Sequence, residues 1–275
     1  IFILNYYKMT EVIEFIFDDN IKINVKNNEK NMENNAMLKR IATNNERIFR
    51  NIHIYLLKNK IIKGNIIDIG SYIGDNTYPW AKLTNEIIYS IDPSDKNCEY
   101  IKEICQLNNI NNVVILTKLI SDTAEVLNCP SNAVDHCSFV WKNGDVGNLK
   151  KPEYDLKIKA DTFDNLYDNG IINNIGYIHL DVEGMENKIL NGSKKVIDVF
   201  KPIITFEGHI QAEQEEVKKN IKFLKERNYT IFMINDIITP GQCWADCRNF
   251  IAFPENIDSM ELIKKINLTF FSLIN

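Results

Sequence analysis

Residues 65–74 read Asn65-Ile66-Ile67-Asp68-Ile69-Gly70-Ser71-Tyr72-Ile73-Gly74. A short apolar run that ends in a carboxylate and a glycine suits a strand buried on both faces, followed by a tight turn. Gly70 and Gly74 have no Cβ, so the backbone there can pass close to a ligand. The dinucleotide fingerprint G-x-G-x-x-G needs glycine where Tyr72 and Asp75 stand. The turn therefore lacks a pyrophosphate cradle and better fits a ligand with a ribose and no phosphate.

Working outward, residues 86–92, 112–116, 175–181 and 201–207 repeat the short apolar run, and three of these four end in an acid. Helical patterns lie between several of them. Ser94 stands as an N-cap before Cys98, Ile101, Ile104 and Cys105, which share one face. Val217, Ile221 and Leu224 form the stripe of another helix. Strands alternating with helices predict an α/β fold, a doubly wound and mostly parallel Rossmann-like sheet. Residues 229–234 and 250–253 read as a closing antiparallel pair. The stretch 122–160 breaks the rhythm and reads as an insertion or a hairpin over the sheet edge.

Ahead of this domain, 12–17 and 21–25 read as a hairpin around the turn at 18–20, and 37–58 as an amphipathic helix. The expected division is an N-terminal extension (1–60), an α/β domain (61–255) and a tail packed on it (256–275). A chain of 275 residues suits one domain with additions.

The composition is 45% hydrophobic and 25% charged, enough for a core and unlike a disordered chain. The net charge is -5 with no basic stripe, which argues against a nucleic-acid partner gripped by charge. No apolar run approaches the ~18 residues of a membrane span. Ile1 to Leu4 is too short for a signal-peptide core, and no small-residue cleavage site follows. The six cysteines lack C-x-x-C spacing and read as reduced thiols of a soluble, cytoplasmic protein. Cys243 and Cys247, near Asp246, come closest to a metal or redox pair.

In a doubly wound sheet, ligands bind beyond the carboxyl ends of the strands. Asp92, followed by Pro93, stands where an acid accepts hydrogen bonds from both ribose hydroxyls. Ser121-Asp122 follows the third run and can meet an adenine edge. Glycine turn, ribose acid and base-edge acid come in the order expected for S-adenosylmethionine. The candidate cofactor residues are Asp68, Gly70, Ser71, Tyr72, Gly74, Asp92, Ser121, Asp122 and Asp181.

The strongest local motif is Leu180-Asp181-Val182-Glu183-Gly184-Met185-Glu186, followed by Leu190 and Gly192. It resembles the K-I-D-V-E-G-x-E block of the FkbM-type methyltransferases. Asp68, Gly70 and Gly74 match that family's D-x-G-x-x-x-G opening, and Ser121-Asp122, 160–166, 202–207 and 249–252 match further blocks. The resemblance covers roughly residues 64 to 254. Two departures stand out: Ser71-Tyr72 where the family often has Ala-Asn, and His179 where it has Lys. The resemblance implies a seven-stranded class I methyltransferase sheet. It also implies S-adenosylmethionine-dependent methyl transfer to a hydroxyl of a sugar, a glycan or another small molecule.

Methyl transfer to oxygen is an in-line displacement that depends on alignment and gains from a base. Asp181 and Glu183 are two apart, so on an extended strand end they point the same way. Asp181 is assigned to the cofactor amine or the acceptor, Glu183 to acceptor positioning and His209 to the general base. Asp181, Glu183 and Glu207 are also hard oxygen donors of the kind a divalent metal takes. A polar substrate cleft uses the same carboxylates, and no metal is assigned. Tyr72, Trp80, Trp141 and Trp244 are candidates for either a stacking surface or core. The alternative to an enzyme is a binding module that kept this fold without turnover. A nicotinamide-dependent oxidoreductase is disfavoured by the missing glycines at positions 72 and 75. The sequence leaves the oligomeric state open.

Overall fold

The structure, a computed structural model, describes residues 12–16, 18–26, 47–129, 156–210, 214–236 and 247–274. Strands β1 (Val12–Ile16) and β2 (Lys22–Lys26) form the expected antiparallel hairpin. Its turn holds Asp19 and Asn20 at φ 63° and 59°, a left-handed conformation that Asp and Asn tolerate. Helix α1 (Arg47–Lys58) follows. The part of the expected helix before residue 47, and the candidates Trp141, Cys243, Trp244 and Asp246, lie outside the described residues.

Strand β3 (Asn65–Ile69), helix α2 (Thr77–Leu83), strand β4 (Ile88–Asp92), helix α3 (Asp95–Leu107) and strand β5 (Val113–Thr117) make the first half of the domain. Ser94 caps α3, its side chain accepting from the Asn97 amide. Next come three short strands: β6 (Leu119–Ile120), β7 (Val126–Cys129) and β8 (Leu156–Asp161). They form a separate small sheet in the order β6-β8-β7, so the stretch that broke the sequence rhythm is a hairpin with its own sheet.

Helix α4 (Phe163–Asp168), strand β9 (Ile175–Leu180), helices α5 (Glu186–Asn191) and α6 (Lys194–Phe200), strand β10 (Ile203–His209) and helix α7 (Gln214–Lys225) make the second half. Strands β11 (Thr230–Ile234) and β12 (Cys247–Phe253), helix α8 (Ser259–Ile266) and strand β13 (Phe271–Leu273) close the chain.

The main sheet runs β13-β11-β12-β10-β9-β3-β4-β5. The five strands from β10 to β5 are mutually parallel, and β12 pairs antiparallel with β10 and with β11. This is the doubly wound α/β fold expected. Among the described residues it has eight strands instead of seven, because β13 adds an edge beside β11.

Alternation along each strand divides the core into two layers. Ile66, Ile88, Tyr177 and Ile203 face α1, α3 and α8. Ile67, Ile91, Ile178 and Phe206 face α4 to α7. Strand order reverses at β3, whose neighbours are β4 on one side and β9 on the other. That reversal places the carboxyl ends of β3 and β9 side by side, where a crevice opens.

The face under α1 also carries a buried polar chain. Neutral His53 donates from Nδ1 to the Phe49 carbonyl at 2.7 Å, which leaves Nε2 to accept from the Tyr177 hydroxyl. Tyr177 meets Thr205 Oγ1, and His179 Nδ1 lies 2.9 Å from the same hydroxyl. Burial lowers the His53 pKa to about 4, which keeps the ring neutral. Trp80 is buried and stacks on His53 at 5.1 Å, so it belongs to the core and not to a ligand-stacking surface. Cys98 and Cys105 are free and buried, and burial pushes their thiols up to about 11 and about 12. Cys247 is disulfide-bonded, in contrast to the reduced thiols expected. No helix among the described residues is long and apolar enough to cross a membrane.

Candidate active site

The turn after β3 is set by glycine. Gly70 has φ +82°, and its amide donates to the Ile91 carbonyl at 2.9 Å. A Cβ on Gly70 would lie 1.9 Å from the Asp181 carbonyl oxygen, so the two strand ends meet backbone to backbone. Gly74 has φ +78°, and a Cβ there would meet the Tyr78 ring at 2.5 Å. Between them Tyr72 is held left-handed at φ 45°, with its amide donating to Asp92 Oδ2 at 2.9 Å.

Asp92 and Asp68 are both almost fully buried. Asp92 Oδ1 accepts from the Ser94 amide at 2.9 Å and from Asn97 Nδ2 at 3.0 Å. Together with Tyr72, this gives the carboxylate three protein donors that fix its direction. Asp68 accepts from Thr77 Oγ1 at the start of α2. Ser71 is buried and accepts from Ser90 Oγ at 2.8 Å.

Two cavities open at this edge. The larger is mostly apolar and runs from Ile91, Asp92 and Pro93 past Leu119 and Ile120 to Met185. The smaller is lined by Asp68, Ser71, Tyr72, Asp75, Asn76 and Glu183. Gly70 and Asp181 line both, so the cavities lie side by side at the backbone contact between β3 and β9. An elongated ligand with an apolar planar end and a polar, positively charged end matches this pair of compartments.

Beyond Asp181 the carboxylates gather. Glu183, at the left-handed φ of 52°, places Oε2 3.6 Å from His209 Nε2. Glu207 Oε2 lies 3.2 Å from the same nitrogen. One oxygen each from Asp181, Glu183 and Glu207 lies within 4.8 Å of the others. His209 is nearly enclosed, and its imidazole bridges the two glutamates.

Seven of the nine expected cofactor residues gather at this crevice: Asp68, Gly70, Ser71, Tyr72, Asp92 and Asp181 line the cavities, and Gly74 shapes the turn. Ser121 and Asp122 stand outside both cavities. Ser121 is buried with its hydroxyl turned to Asp122 at 3.0 Å, and Asp122 is exposed. Lys118, Leu119 and Ile120, the residues just before them, line the larger cavity instead. They directly follow β5, so the strand-end rule itself pointed to them. Lys118 also pairs with Asp161 at 3.2 Å. Asp161 is held below the usual carboxylate range against the opposing pull of its burial, by hydrogen bonds from Asn165 and Lys118.

Glu186 belongs to the site as well, although the sequence pattern assigns it no role. It is 5% exposed, and its Oε1 accepts from the Val182 amide at 3.2 Å and the Gly184 amide at 3.4 Å. Burial, with the Glu207 charge adding to it, raises its pKa to about 7.

Residues 68–231 match the family described as methyltransferase FkbM domain. Among solved structures, the chain is similar to methyltransferase FkbM from Methylobacillus flagellatus KT, at 17% identity and a TM-score of 0.47, over 68% of this chain and 43% of that one. It is similar to precorrin-6y C5,15-methyltransferase from Geobacter metallireducens GS-15 at 11% identity and a TM-score of 0.43, covering 73% and 86% of the two chains. A rRNA methylase from Streptococcus thermophilus is matched at 12% identity and a TM-score of 0.45, covering 74% and 92%. The match thus spans less than half of the first of these structures. No curated protein matches the chain.

Proposed function

The chain belongs to the FkbM methyltransferase family, and from that premise we propose that it is an S-adenosylmethionine-dependent O-methyltransferase acting on a hydroxyl of a sugar, a glycan or another small molecule. The observation that carries the reading is an apolar and an acidic cavity that share Gly70 and Asp181 as a common wall. S-adenosylmethionine, when bound, supplies a methyl group made electrophilic by its sulfonium. Leu119, Ile120 and Met185 offer apolar walls to an adenine, and Asp92 directs a carboxylate at a ribose. Asp68 and Asp181 face the amino-acid end, where an ammonium gains from nearby carboxylates.

On the acceptor side, Glu183 orients the hydroxyl and His209 takes its proton at Nδ1 as the oxygen attacks, because its Nε2–H is the donor to Glu207. Glu207, 3.2 Å from Nε2, stabilises the imidazolium that results. Orientation of the acceptor by these three side chains supplies the remaining acceleration. The net charge of -5 favours a neutral or cationic acceptor over a nucleic acid. We place the chain in the cytoplasm, although the Cys247 disulfide counts against that placement, since thiols there are kept reduced. A thiol count on protein isolated without reductant checks that placement.

The test is calorimetric titration with S-adenosylhomocysteine, repeated on Asp92→Ala. Binding near micromolar, about -8 kcal/mol, that weakens at least about tenfold in the variant supports the cofactor assignment. Absence of binding by the folded wild-type protein overturns it. Release of S-adenosylhomocysteine from S-adenosylmethionine against a panel of hydroxylated acceptors then identifies the substrate.

A further inference from the structure

We infer that Glu186 is a positioning residue whose carboxylate holds the backbone from Val182 to Gly184 and so aims Asp181 and Glu183 into the cleft. The inference rests on the proposed function in one respect, that the cleft edge formed by those two acids is where the cofactor and acceptor meet. The geometry itself does not depend on it.

The turn after β9 is an unfavourable one. Glu183 and Gly184 take φ 52° and 93° in succession, and left-handed backbone is strained for a side chain such as glutamate. A turn of this kind gathers amide groups into a small concavity that attracts an anion. Here the chain supplies its own anion: one oxygen of Glu186 receives both the Val182 and Gly184 amides. Met185 and Ile189, on either side, pack into the core, which keeps the glutamate side chain enclosed.

The charged group facing Glu186 is Glu207, on β10. Helix α7, packed against α5, keeps its Glu215, Glu216, Lys218, Lys219 and Lys222 in ion pairs on its own outer side. Asp181, Glu183 and His209 are further ionisable groups in the same neighbourhood. A variant that removes the Glu186 proton alone is therefore the discriminating one.

The experiment compares wild type, Glu186→Ala and Glu186→Gln, each confirmed folded by its melting transition, with two readouts. The first is amide hydrogen exchange at Val182 and Gly184 in the protein without cofactor. Protection falls about tenfold or more in Glu186→Ala and returns in Glu186→Gln, whose amide oxygen is still an acceptor. The second is S-adenosylhomocysteine affinity between pH 6 and pH 8. Ionised Glu186 makes the stronger, charge-assisted bonds, so wild-type affinity drops roughly threefold or more toward pH 6. Glu186→Gln binds within about threefold of wild type at pH 8, with no such step.

Unchanged exchange at both amides in Glu186→Ala overturns the inference. So does a pH step that persists in Glu186→Gln, or a Gln variant as weak as the Ala variant. Wild-type protein that binds no S-adenosylhomocysteine, while exchange responds as described, supports the positioning role and overturns the methyltransferase reading instead.

Discussion

Gly70 and Asp181 touch through their backbones: a Cβ on the glycine would sit 1.9 Å from the aspartate carbonyl oxygen, and the Asp181 amide donates to Ile69 at 3.1 Å. This contact locks the ends of β3 and β9 together at the point where strand order reverses, and both cavities extend from it. Gly70→Ala combines a left-handed φ with a backbone clash that no side-chain rotation relieves. We expect S-adenosylhomocysteine binding to fall at least about 100-fold, with a stability loss of several kcal/mol, roughly 3 or more. Gly170→Ala is the control. Gly170 also has a positive φ, +69°, but nothing lies within 4 Å of its added Cβ. It should lose only about 1 kcal/mol and bind normally. Calorimetry and urea unfolding on the two variants check this, and equal behaviour would remove the backbone contact as the reason for glycine at position 70.

Glu186 makes stability depend on pH in an unusual direction. Its folded pKa, about 7, lies above the ordinary 4.5. The folded state therefore keeps the proton that the unfolded state releases. The stabilising contribution is complete below pH 4.5 and is lost as pH rises through about 7. A full shift of this size is worth roughly 3 kcal/mol. Relative to Glu186→Gln, wild type should lose about that much between pH 5 and pH 8, roughly 6–12 °C in Tm. Parallel melting curves for the two proteins across that range would contradict it.

His53 works in the opposite sense. Its folded pKa of about 4 lies below the ordinary 6.5. A depressed base contributes stability that is present above pH 6.5 and lost as pH falls toward about 4. From pH 4.5 to 6.5 the two slopes oppose each other, so wild type should show a flat stability profile there. The Tyr177 hydroxyl is what the unprotonated nitrogen of His53 accepts from. Tyr177→Phe removes that donor from the buried nitrogen and takes one hydrogen-bond partner from Thr205, at an expected cost of about 1–3 kcal/mol. Urea unfolding at pH 7 measures it, and a variant as stable as wild type would show that the hydroxyl chain contributes nothing net.

How much of this was legible follows from burial. Strands β3, β4, β9 and β10 are covered on both faces, so they stand in the sequence as unbroken apolar runs whose positions the pattern alone marks. Helices α2, α4, α5 and α6 have six or seven residues, too few for a 3.6-residue period to show. Tail strand β13 has three residues, and only its pairing with β11 reveals it. The glycine turn and Asp92 were visible because few residue types satisfy a positive φ or a strand-end acid. Glu186 stood in the motif, yet its partners are backbone amides, which a sequence does not display.

We propose that the adenine station lies two residues earlier in the chain than the sequence pattern places it. Strand β6 pairs with β8, Leu119 opposite Ala160, and this draws the chain away from the main sheet directly after β5. Leu119 and Ile120 are left facing the cavity while Ser121 turns behind it. Asp122→Ala should therefore change S-adenosylhomocysteine affinity by less than about twofold, as expected for an exposed side chain away from the ligand. Ile120→Asp, which brings a charge into an apolar wall, should weaken binding about tenfold or more. Titrations of both variants decide the matter, and the reverse order would restore the adenine edge to Ser121-Asp122.

Under the proposed mechanism, variants of His209 and Glu183 separate binding from chemistry. The imidazole lies outside both cavities but within 3.6 Å of Glu183, which lines the smaller one. Removing it takes away a proton acceptor without touching the walls that hold the cofactor. His209→Ala should bind S-adenosylhomocysteine within about threefold of wild type, while turnover with an identified acceptor falls roughly 10²–10⁴-fold. Glu183→Gln keeps the side-chain shape and removes its charge, so it should raise KM for the acceptor more than it lowers kcat. Glutamine is also no better suited than glutamate to φ 52°, so the exchange leaves backbone strain as it was. The discriminating measurement is steady-state kinetics on both variants beside cofactor titration. Undiminished turnover in His209→Ala would remove the imidazole from the reaction and leave Glu207 or Glu183 as the base, because both carboxylates lie within 3.6 Å of the imidazole.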